Sequence, residues 1–251
     1  MPKLKQRKSR QRKRLKSLKK LLNRKVPVEL KDYGFVAVCM GKGITNILKD
    51  LGVDRVIEGG QTMNPSTDDI LKAVKRVKAK TVYVFPNNKN IIMAANQAAE
   101  LVEDKKIVVI PSKSVPQCIS AMVEFNDKKS AEANEKAMNK AIGRVTSGQL
   151  TYAVRDTEID GIEIKKDDIL GMVEGKIVTV GKDIDDVLNR VVSQMVDEDT
   201  EFLNVYYGKE IKKPQADVML KALETKYADD EIEVSFKKGG QPLYYYIISA
   251  E

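Results

Sequence analysis

The first part of the chain alternates short apolar runs with amphipathic segments, from Tyr33 to about residue 145. Apolar runs of about four to eight residues predict buried strands, and apolar residues spaced three and four apart predict helices with one packed face. A helix is predicted after each strand, which is typical of βαβ units and a mainly parallel sheet. The predicted strands are GFVAVCM, DRVI, TVYVF and IVVI, at 34–40, 54–57, 81–85 and 107–110.

The pattern changes after Ser147-Gly148. Short alternating runs are separated there by Asp160-Gly161 and Glu174-Gly175, which are typical of hairpin turns. Helices are predicted at 183–196 and 214–226, and further strands at FLNVYYG, IEVSF and QPLYYYIISAE. We therefore predict a two-lobed α/β protein. Its parts are a basic arm or linker at 1–32, a first α/β lobe at 33–147 with a mainly parallel sheet, and a second α/β lobe at 148–251 with a mixed sheet and helices.

The positive charge of the chain is concentrated at its N-terminus. The formal net charge is +8, and residues 1–25 contain thirteen Lys or Arg and no acid. Subtracting thirteen from +8 leaves −5 for residues 26–251, so the basic pI describes the arm rather than the body. Leu15, Leu18 and Leu22 permit a short amphipathic helix there, and a solvated terminus or linker is the alternative. We expect no contact with nucleic acid or a membrane surface except through this 1–25 arm, which lacks interleaved aromatic residues for base stacking.

The composition excludes several classes of function. The chain has no histidine, so triads with a histidine base and histidine-based zinc sites cannot be built. Cys39 and Cys118 each lie in an apolar segment without CxxC spacing, which favours buried free thiols. No apolar run is long enough for a transmembrane span or a secretory signal, so we expect a cytoplasmic protein.

The stretch EGGQTMNPSTDD, at 58–69, is the first candidate site. Ser66, with Asp69 three residues later, predicts the N-terminus of a helix. Two interpretations stay open: the stretch is only a helix start, or it also binds a carboxylate or phosphate through the helix N-terminus. The second interpretation gives a role to the glycines and short polar side chains, namely Gly59, Gly60, Gln61, Thr62, Asn64 and Ser66.

The loop PNNKN, at 86–90, has the same construction, because three amides and a lysine separate a strand from a helix. The carboxyl ends of parallel strands lie along one sheet edge, so we expect this loop beside residues 59–67. The loop PSKSVPQ, at 111–117, adds hydroxyls and a lysine to that edge. The Asn-rich composition of the loops at this edge suits ligand binding better than proton transfer. The candidate binding residues in PNNKN are Asn87, Asn88 and Asn90.

Three weaker signals complete the candidate site. Gly239-Gly240-Gln241 repeats the triplet Gly59-Gly60-Gln61, so we predict that both turns face one cleft between the lobes, with Gly240 and Gln241 as contacts. Gly41-Lys42-Gly43 matches no phosphate-loop motif and favours a tight strand-to-helix turn. Arg155 can clamp an anion if it faces the cleft, and otherwise belongs to a solvated hairpin. We predict no catalytic residue and no metal ligand.

Five segments resemble one known family: YGFVAVCMGKG, IEGGQTMNPSTDDI, FPNNKNIIMAANQA, SGQLTYAVRDTEIDG and GGQPLYYYIISAE. Along residues 33–251 the chain is similar to the C-terminal region of the bacterial dihydroxyacetone-kinase-like proteins, the ATP-binding subunit of fatty acid kinase. The resemblance implies a DegV-like (EDD) fold and a role in lipid metabolism, in phospholipid synthesis. In that family the complete protein phosphorylates a fatty acid carried by a separate DegV-like subunit.

The resemblance also implies that the chemistry lies outside this chain. ATP and Mg are expected only on an N-terminal kinase domain, so we expect no cofactor here and no kinase activity from this chain by itself. The leading hypothesis is a non-catalytic module that docks the DegV-like fatty-acid-binding protein during acyl phosphate formation. DegV-like lipid binders grip the lipid carboxylate with a Thr-Ser-Gln-Pro-Ser stretch; Met63 and Asn64 replace its Ser and Gln here, which favours docking.

The alternative hypothesis is a small-molecule binding protein of DegV-like fold, with a fatty acid, an acyl phosphate or another phosphorylated compound as its ligand. A homodimer is possible under either hypothesis.

Overall fold

The computed structural model describes residues 30–60, 63–159 and 161–251. The predicted helix of the basic arm lies outside the described residues, as do Gln61, Thr62 and Asp160. Residues Asp32–Glu251 form one compact unit. The boundaries of the arm and of the two lobes stay predictions.

The first four strands form one sheet, as the apolar runs predict. They are β1 (Lys31–Cys39), β2 (Arg55–Glu58), β3 (Ala79–Phe85) and β4 (Lys106–Val109), in the order β2-β1-β3-β4. The pairs β1–β2 and β3–β4 are parallel. The connecting helices are α1 (Lys42–Asp50), α2 (Thr67–Arg76) and α3 (Lys89–Glu100), and α4 (Val115–Val123) and α5 (Ala131–Ile142) follow β4.

Both faces of this sheet are buried, which explains why its strands are continuous apolar runs rather than alternating ones. Val36 and Val38 pack with residues of α2 and α3, including Ile70. Their neighbours Ala37 and Cys39 point to the other face, because side chains alternate along a strand. That second face packs with α1, α4 and α5.

The second sheet is mixed, as predicted. Its strands are β5 (Thr146–Tyr152), β8 (Ile169–Val173), β9 (Lys176–Gly181), β10 (Phe202–Tyr207), β11 (Glu233–Lys238) and β12 (Tyr244–Ala250). Their order is β11-β10-β12-β5-β8-β9, with only β10–β11 parallel among the described pairs. Strands β6 (Thr157–Ile159) and β7 (Ile162–Ile164) form a separate hairpin. The helices are α6 (Ile184–Met195) and α7 (Lys213–Lys226).

The turn between β8 and β9 confirms the predicted hairpin. Glu174 and Gly175 have φ angles of 49° and 77°. Two successive left-handed residues match the twist of the adjoining strands, which is why glycine is favoured here.

The two sheets pack against each other through the middle strands of the second sheet. Leu150, Val205 and Ile248 share a core with α6 and α7. Tyr206 and Ile247 point the other way and join the core beneath α1 and α4. One face of the second sheet is therefore covered by α6 and α7, and its other face packs against the core of the first sheet. Within the described residues, no helix has the length and apolar character needed to cross a membrane.

Candidate functional site

The N-terminus of α1 is capped by the second sheet region. Gly41 occupies the N-cap position and offers no side chain to the helix. Instead, the carbonyl oxygen of Gly239 accepts hydrogen bonds from the backbone amides of Gly43 and Ile44, at 2.9 and 3.1 Å. These are amides that a phosphate loop would present to its ligand. The structure thus confirms the tight turn at Gly41-Lys42-Gly43. The amides of Gly43 and Ile44, which could otherwise bind an anion, already donate to the carbonyl oxygen of Gly239.

The Gly239-Gly240-Gln241 turn is held by the end of β10. The amides of Gly239 and Gly240 both donate to the carbonyl oxygen of Tyr207, at 3.0 Å. The Gln241 side chain is only 2% exposed, and its Nε2 donates to the carbonyl oxygen of Tyr206 at 2.6 Å. Its Oε1 is buried without a partner in the described part of the chain. The Gln241 side chain thus holds the turn against the end of β10.

The Gly59-Gly60 turn is held more weakly. The amide of Gly59 donates to Cys39 at the end of β1, and that of Gly60 donates to the carbonyl oxygen of Met63, both at 3.2 Å. Gly60 has φ of 144°. The loop then turns outward, since Met63 is 73% exposed and Asn64 is exposed as well.

Ser66 forms the predicted helix start. Its Oγ accepts a hydrogen bond from the backbone amide of Asp69, and the Asp69 carboxylate accepts one from the backbone amide of Ser66 at 3.0 Å. This reciprocal capping box begins α2. The Ser66 hydroxyl also donates to the Asp69 carboxylate, and these hydrogen bonds lower the pKa of Asp69. The helix-start interpretation therefore holds, and anion binding by Ser66 stays a prediction.

Asn87 and Asn88 both carry structural hydrogen bonds. Asn87 is buried in a left-handed conformation, with φ of 55°. Its Nδ2 donates to the carbonyl oxygen of Val38 at 2.9 Å, and its Oδ1 accepts from the Ser112 hydroxyl at 2.6 Å. It thereby ties together the ends of β1 and β3 and the loop after β4. Asn88 is the N-cap of α3, and its Oδ1 accepts from the backbone amide of Asn90 at 2.9 Å.

A small cavity lies where these loops meet the second sheet. Its volume is about 40 Å³, far below the roughly 300–1,000 Å³ of a typical ligand pocket. The structure thus brings the two glycine turns to one cavity, but leaves almost no free volume between them. Its lining includes four of the predicted site residues, Gly59, Gly60, Asn87 and Gln241.

The remaining predicted site residues lie elsewhere. Asn88 and Asn90 line a groove of about 180 Å³ beside β5, and Asn64 lines an open surface recess with Asp69. Gly240 borders another open recess, and Arg155 is exposed on the loop before β6. These candidate residues therefore line different recesses: Asn88 is buried as a helix cap, whereas Asn64 lies on the exposed loop.

Two residues of the 180 Å³ groove had no signal in the sequence pattern. Gln149 is a polar residue within β5 and lines both the cavity and the groove. Ser147 is buried on the same strand, and its hydroxyl lies 2.7 Å from that of Ser114. A polar side chain inside a strand indicates only one hydrophilic position, so its neighbours depend on sheet packing.

The described residues offer few reactive groups. Burial raises the pKa of Cys39 to about 11 and also raises that of Cys118, which keeps both thiols protonated near neutral pH. In residues 30–60, 63–159 and 161–251, no three His, Cys, Asp or Glu side chains are grouped as a metal site.

The family model for the C-terminal region of FakA-like fatty acid kinase subunits matches residues 34–251. Protein YloV from Bacillus subtilis is 49% identical over 225 residues, which cover 90% of this chain and 40% of that protein. The chain therefore spans about two fifths of the length of the curated relatives that it matches.

Two solved structures share the fold. DegV, a fatty acid binding protein from Bacillus subtilis, has a TM-score of 0.60 at 12% identity over 88% of this chain and 99% of that chain. The dihydroxyacetone kinase of C. freundii has a TM-score of 0.60 at 11% identity over 89% of this chain and 48% of that chain. At these identities the likeness concerns the fold alone, and it confirms the predicted DegV-like α/β fold. The family match over residues 34–251 shows that the chain belongs to the FakA-like C-terminal family of fatty acid kinase subunits.

Proposed function

We propose that this chain is a non-catalytic module that docks a DegV-type fatty-acid-carrying protein during acyl phosphate formation. ATP and Mg would act on a separate kinase domain of the complete protein. Membership of the FakA-like C-terminal family supports a non-catalytic role within a fatty acid kinase subunit.

The observation that carries the proposal is the size of the cavity between the glycine turns. Ligand pockets usually enclose about 300–1,000 Å³ and bury most of the ligand. The cavity here has a volume of about 40 Å³ and is lined by Ile44, Tyr244 and Ile247 among others. An acyl chain does not fit that volume. The DegV-like fold is therefore better explained as a scaffold than as a lipid container.

The hydrogen-bond network around the cavity supports the same interpretation. A binding cleft has to open, but Gly239 caps α1 and Gln241 clamps β10. Moving α1 away from the second sheet would break the Gly239 cap and leave the amides of Gly43 and Ile44 unpaired, which costs about 1–3 kcal/mol for each buried group.

Two exposed methionines give the docking proposal a candidate contact surface. Met63 follows β2 and Met93 lies in α3, and they are 73% and 70% exposed. Thr67 at the start of α2 contacts Gln97, which is one helical turn after Met93, through a hydrogen bond of 3.1 Å. Methionine is enriched at binding surfaces because its flexible thioether adapts to different partners.

Calorimetry of the full chain with a DegV-type protein loaded with fatty acid tests the proposal. We expect saturable binding that persists when the ionic strength is raised, which separates it from screened contacts of the basic arm. The double variant Met63→Ala/Met93→Ala should weaken binding by about tenfold. Val218→Ala, which truncates another exposed apolar side chain on α7, should leave the affinity unchanged.

Absence of binding to the loaded carrier would refute docking. A parallel titration of the chain with free fatty acid addresses the alternative hypothesis, because a ligand that binds the folded state raises its stability in a concentration-dependent way. Saturable thermal stabilisation by fatty acid alone would favour the small-molecule binding protein.

A further inference from the structure

A polar groove of about 180 Å³ lies beside the cavity and shares Ser114 and Gln149 with the cavity lining. It is formed where the N-termini of α3 and α4 approach strand β5 and the turn between β8 and β9. This volume is below the roughly 300–1,000 Å³ of pockets for larger ligands, which suits a small ion rather than an acyl chain. Its lining includes Asn88, Lys89, Lys113, Gln117, Gln149 and Glu174.

Two buried amide side chains supply donors to this groove. Asn88 and Gln117 are only 5% and 7% exposed. Their oxygens are already engaged, since Asn88 Oδ1 accepts from the backbone amide of Asn90 and Gln117 Oε1 accepts from that of Lys113, at 2.9 and 2.7 Å. The orientation of both amides is fixed, because the backbone groups can only donate. The two NH₂ groups have no hydrogen-bond partner within the described part of the chain.

Neither NH₂ group is sealed inside the protein. The buried atoms without a partner in the described residues are on Asp185, Gln241 and Tyr246. Asn88 Nδ2 and Gln117 Nε2 are not among them, so they contact open space, and both side chains line the groove. Two largely buried side chains with unpaired, accessible donors thus line one recess, where a bound acceptor could complete their hydrogen bonds.

The charges around the groove favour an anion. Lys89 and Lys113 line it, and their ammonium groups have no carboxylate partner in the described ranges. Glu174 is the acidic group in the lining, and its Oε1 already accepts a hydrogen bond from the backbone amide of Ser147 at 2.7 Å. The first turns of α3 and α4 add the partial positive charge of two helix N-termini.

We propose that this groove binds a phosphoryl group, held by the amide nitrogens of Asn88 and Gln117 and by the ammonium groups of Lys89 and Lys113. A phosphoryl group offers several acceptor oxygens and a negative charge, so it can satisfy all four donors at once. A carboxylate offers two oxygens and one negative charge, so it matches the two ammonium groups and two amides less well than a phosphoryl group with three oxygens and a greater charge. The proposal concerns this chain alone and does not depend on docking of a fatty-acid carrier.

Titration of the ¹⁵N-labelled full chain with inorganic phosphate tests the proposal, with the side-chain amide signals of Asn88 and Gln117 as readout. We expect both signals to shift together and saturate. Acetyl phosphate and acetate form two further arms at equal ionic strength. If acetyl phosphate binds at least as tightly as phosphate, the ligand is a phosphoryl group bonded to an acyl group. If phosphate binds more tightly, the ligand is the free ion.

The key variant is Asn88→Asp, which keeps the acceptor that caps α3 but replaces the NH₂ donor with a negative charge. The affinity for phosphate should fall by about tenfold or more. Asn126→Asp is the matched control, because Asn126 Oδ1 also accepts from a backbone amide, that of Lys128 at 2.9 Å, and lies outside the groove lining. Unchanged amide signals on phosphate addition would overturn the proposal, as would equal losses in the two variants or acetate binding as tightly as phosphate.

Discussion

Gly59-Gly60 and the turn Gly239-Gly240-Gln241 both supply residues to the lining of one small cavity but differ in how they are held. Gly239-Gly240-Gln241 caps helix α1, keeps the Gln241 side chain buried, and bonds to two carbonyl oxygens of β10. Gly59-Gly60 makes two backbone hydrogen bonds of 3.2 Å and leads into an exposed loop at Met63 and Asn64. A repeated tripeptide therefore gives one structural joint and one surface loop, because the partners of each turn differ.

The two glycine turns therefore have different roles. A turn whose polar groups are bonded internally cannot change without exposing unpaired groups, so it stabilises the contact between the sheets. A turn that leads to exposed side chains can contact another molecule at little cost to the fold. Substitutions in the two turns should therefore affect different properties.

The largest effect is expected for Gly43→Ala at the joint. A methyl group at Gly43 would lie 1.8 Å from the carbonyl oxygen of Lys238, and this backbone atom cannot move without breaking the cap on α1. The free energy of unfolding should fall by about 3 kcal/mol or more. Chemical denaturation measures this loss. Gly143→Ala is the control, since its nearest contact would be 3.4 Å, and equal stability of both variants would contradict the tight joint.

A smaller loss is expected for Gln241→Ala. The variant removes the hydrogen bond to the carbonyl oxygen of Tyr206 and the packing of a buried side chain. The loss should be about 2 kcal/mol in denaturant unfolding. If the variant were as stable as the parent, the unpartnered Oε1 of Gln241 would outweigh its Nε2 hydrogen bond.

Ser66→Ala should reduce stability by about 1 kcal/mol, the usual cost of losing an N-cap side chain. It should also raise the pKa of Asp69, which is lowered mainly by the hydrogen bond to the Ser66 side chain. A lowered carboxyl pKa stabilises the fold above its unfolded pKa, and this contribution disappears as pH falls through the folded pKa. NMR titration of Asp69 follows the shift; an unchanged pKa would contradict the capping box.

The smallest effect on stability is expected for Asn64→Ala. Asn64 is exposed on the loop after Gly60, so the free energy of unfolding should change by less than about 0.5 kcal/mol. Thermal unfolding of this variant beside Gln241→Ala compares the two turns directly. A loss as large as that of Gln241→Ala would show that the first turn is also a structural joint.

Much of the fold could be predicted from local patterns. The apolar runs of β1 and β3 and the hairpin at Glu174-Gly175 were correctly placed, because strand periodicity and left-handed turn residues are properties of adjacent positions. The cap at Ser66 followed from its spacing to Asp69 for the same reason. The resemblance of GGQTMNPST and PNNKN to a known family also predicted the DegV-like fold.

The candidate site could be predicted only in part. The sequence indicated that Asn87 and Asn88 lie between a strand and a helix, but not that both amide atoms of Asn87 are hydrogen-bonded while the NH₂ group of Asn88 has no partner among the described residues. Gln149 carried no signal, since its position beside Asn88 depends on packing of β5 against loops of the first sheet. These features depend on contacts between residues far apart in the chain.

The sequence by itself determined the types of element, their order and the family, because each depends on side chains within a few positions of one another or on a recognisable motif. Only the tertiary structure decided that the cavity between the glycine turns is nearly filled and that the adjoining groove has donors without a partner in the described part of the chain. Free volume and unpaired hydrogen-bonding groups are what remains after distant segments have packed, so no local pattern specifies them.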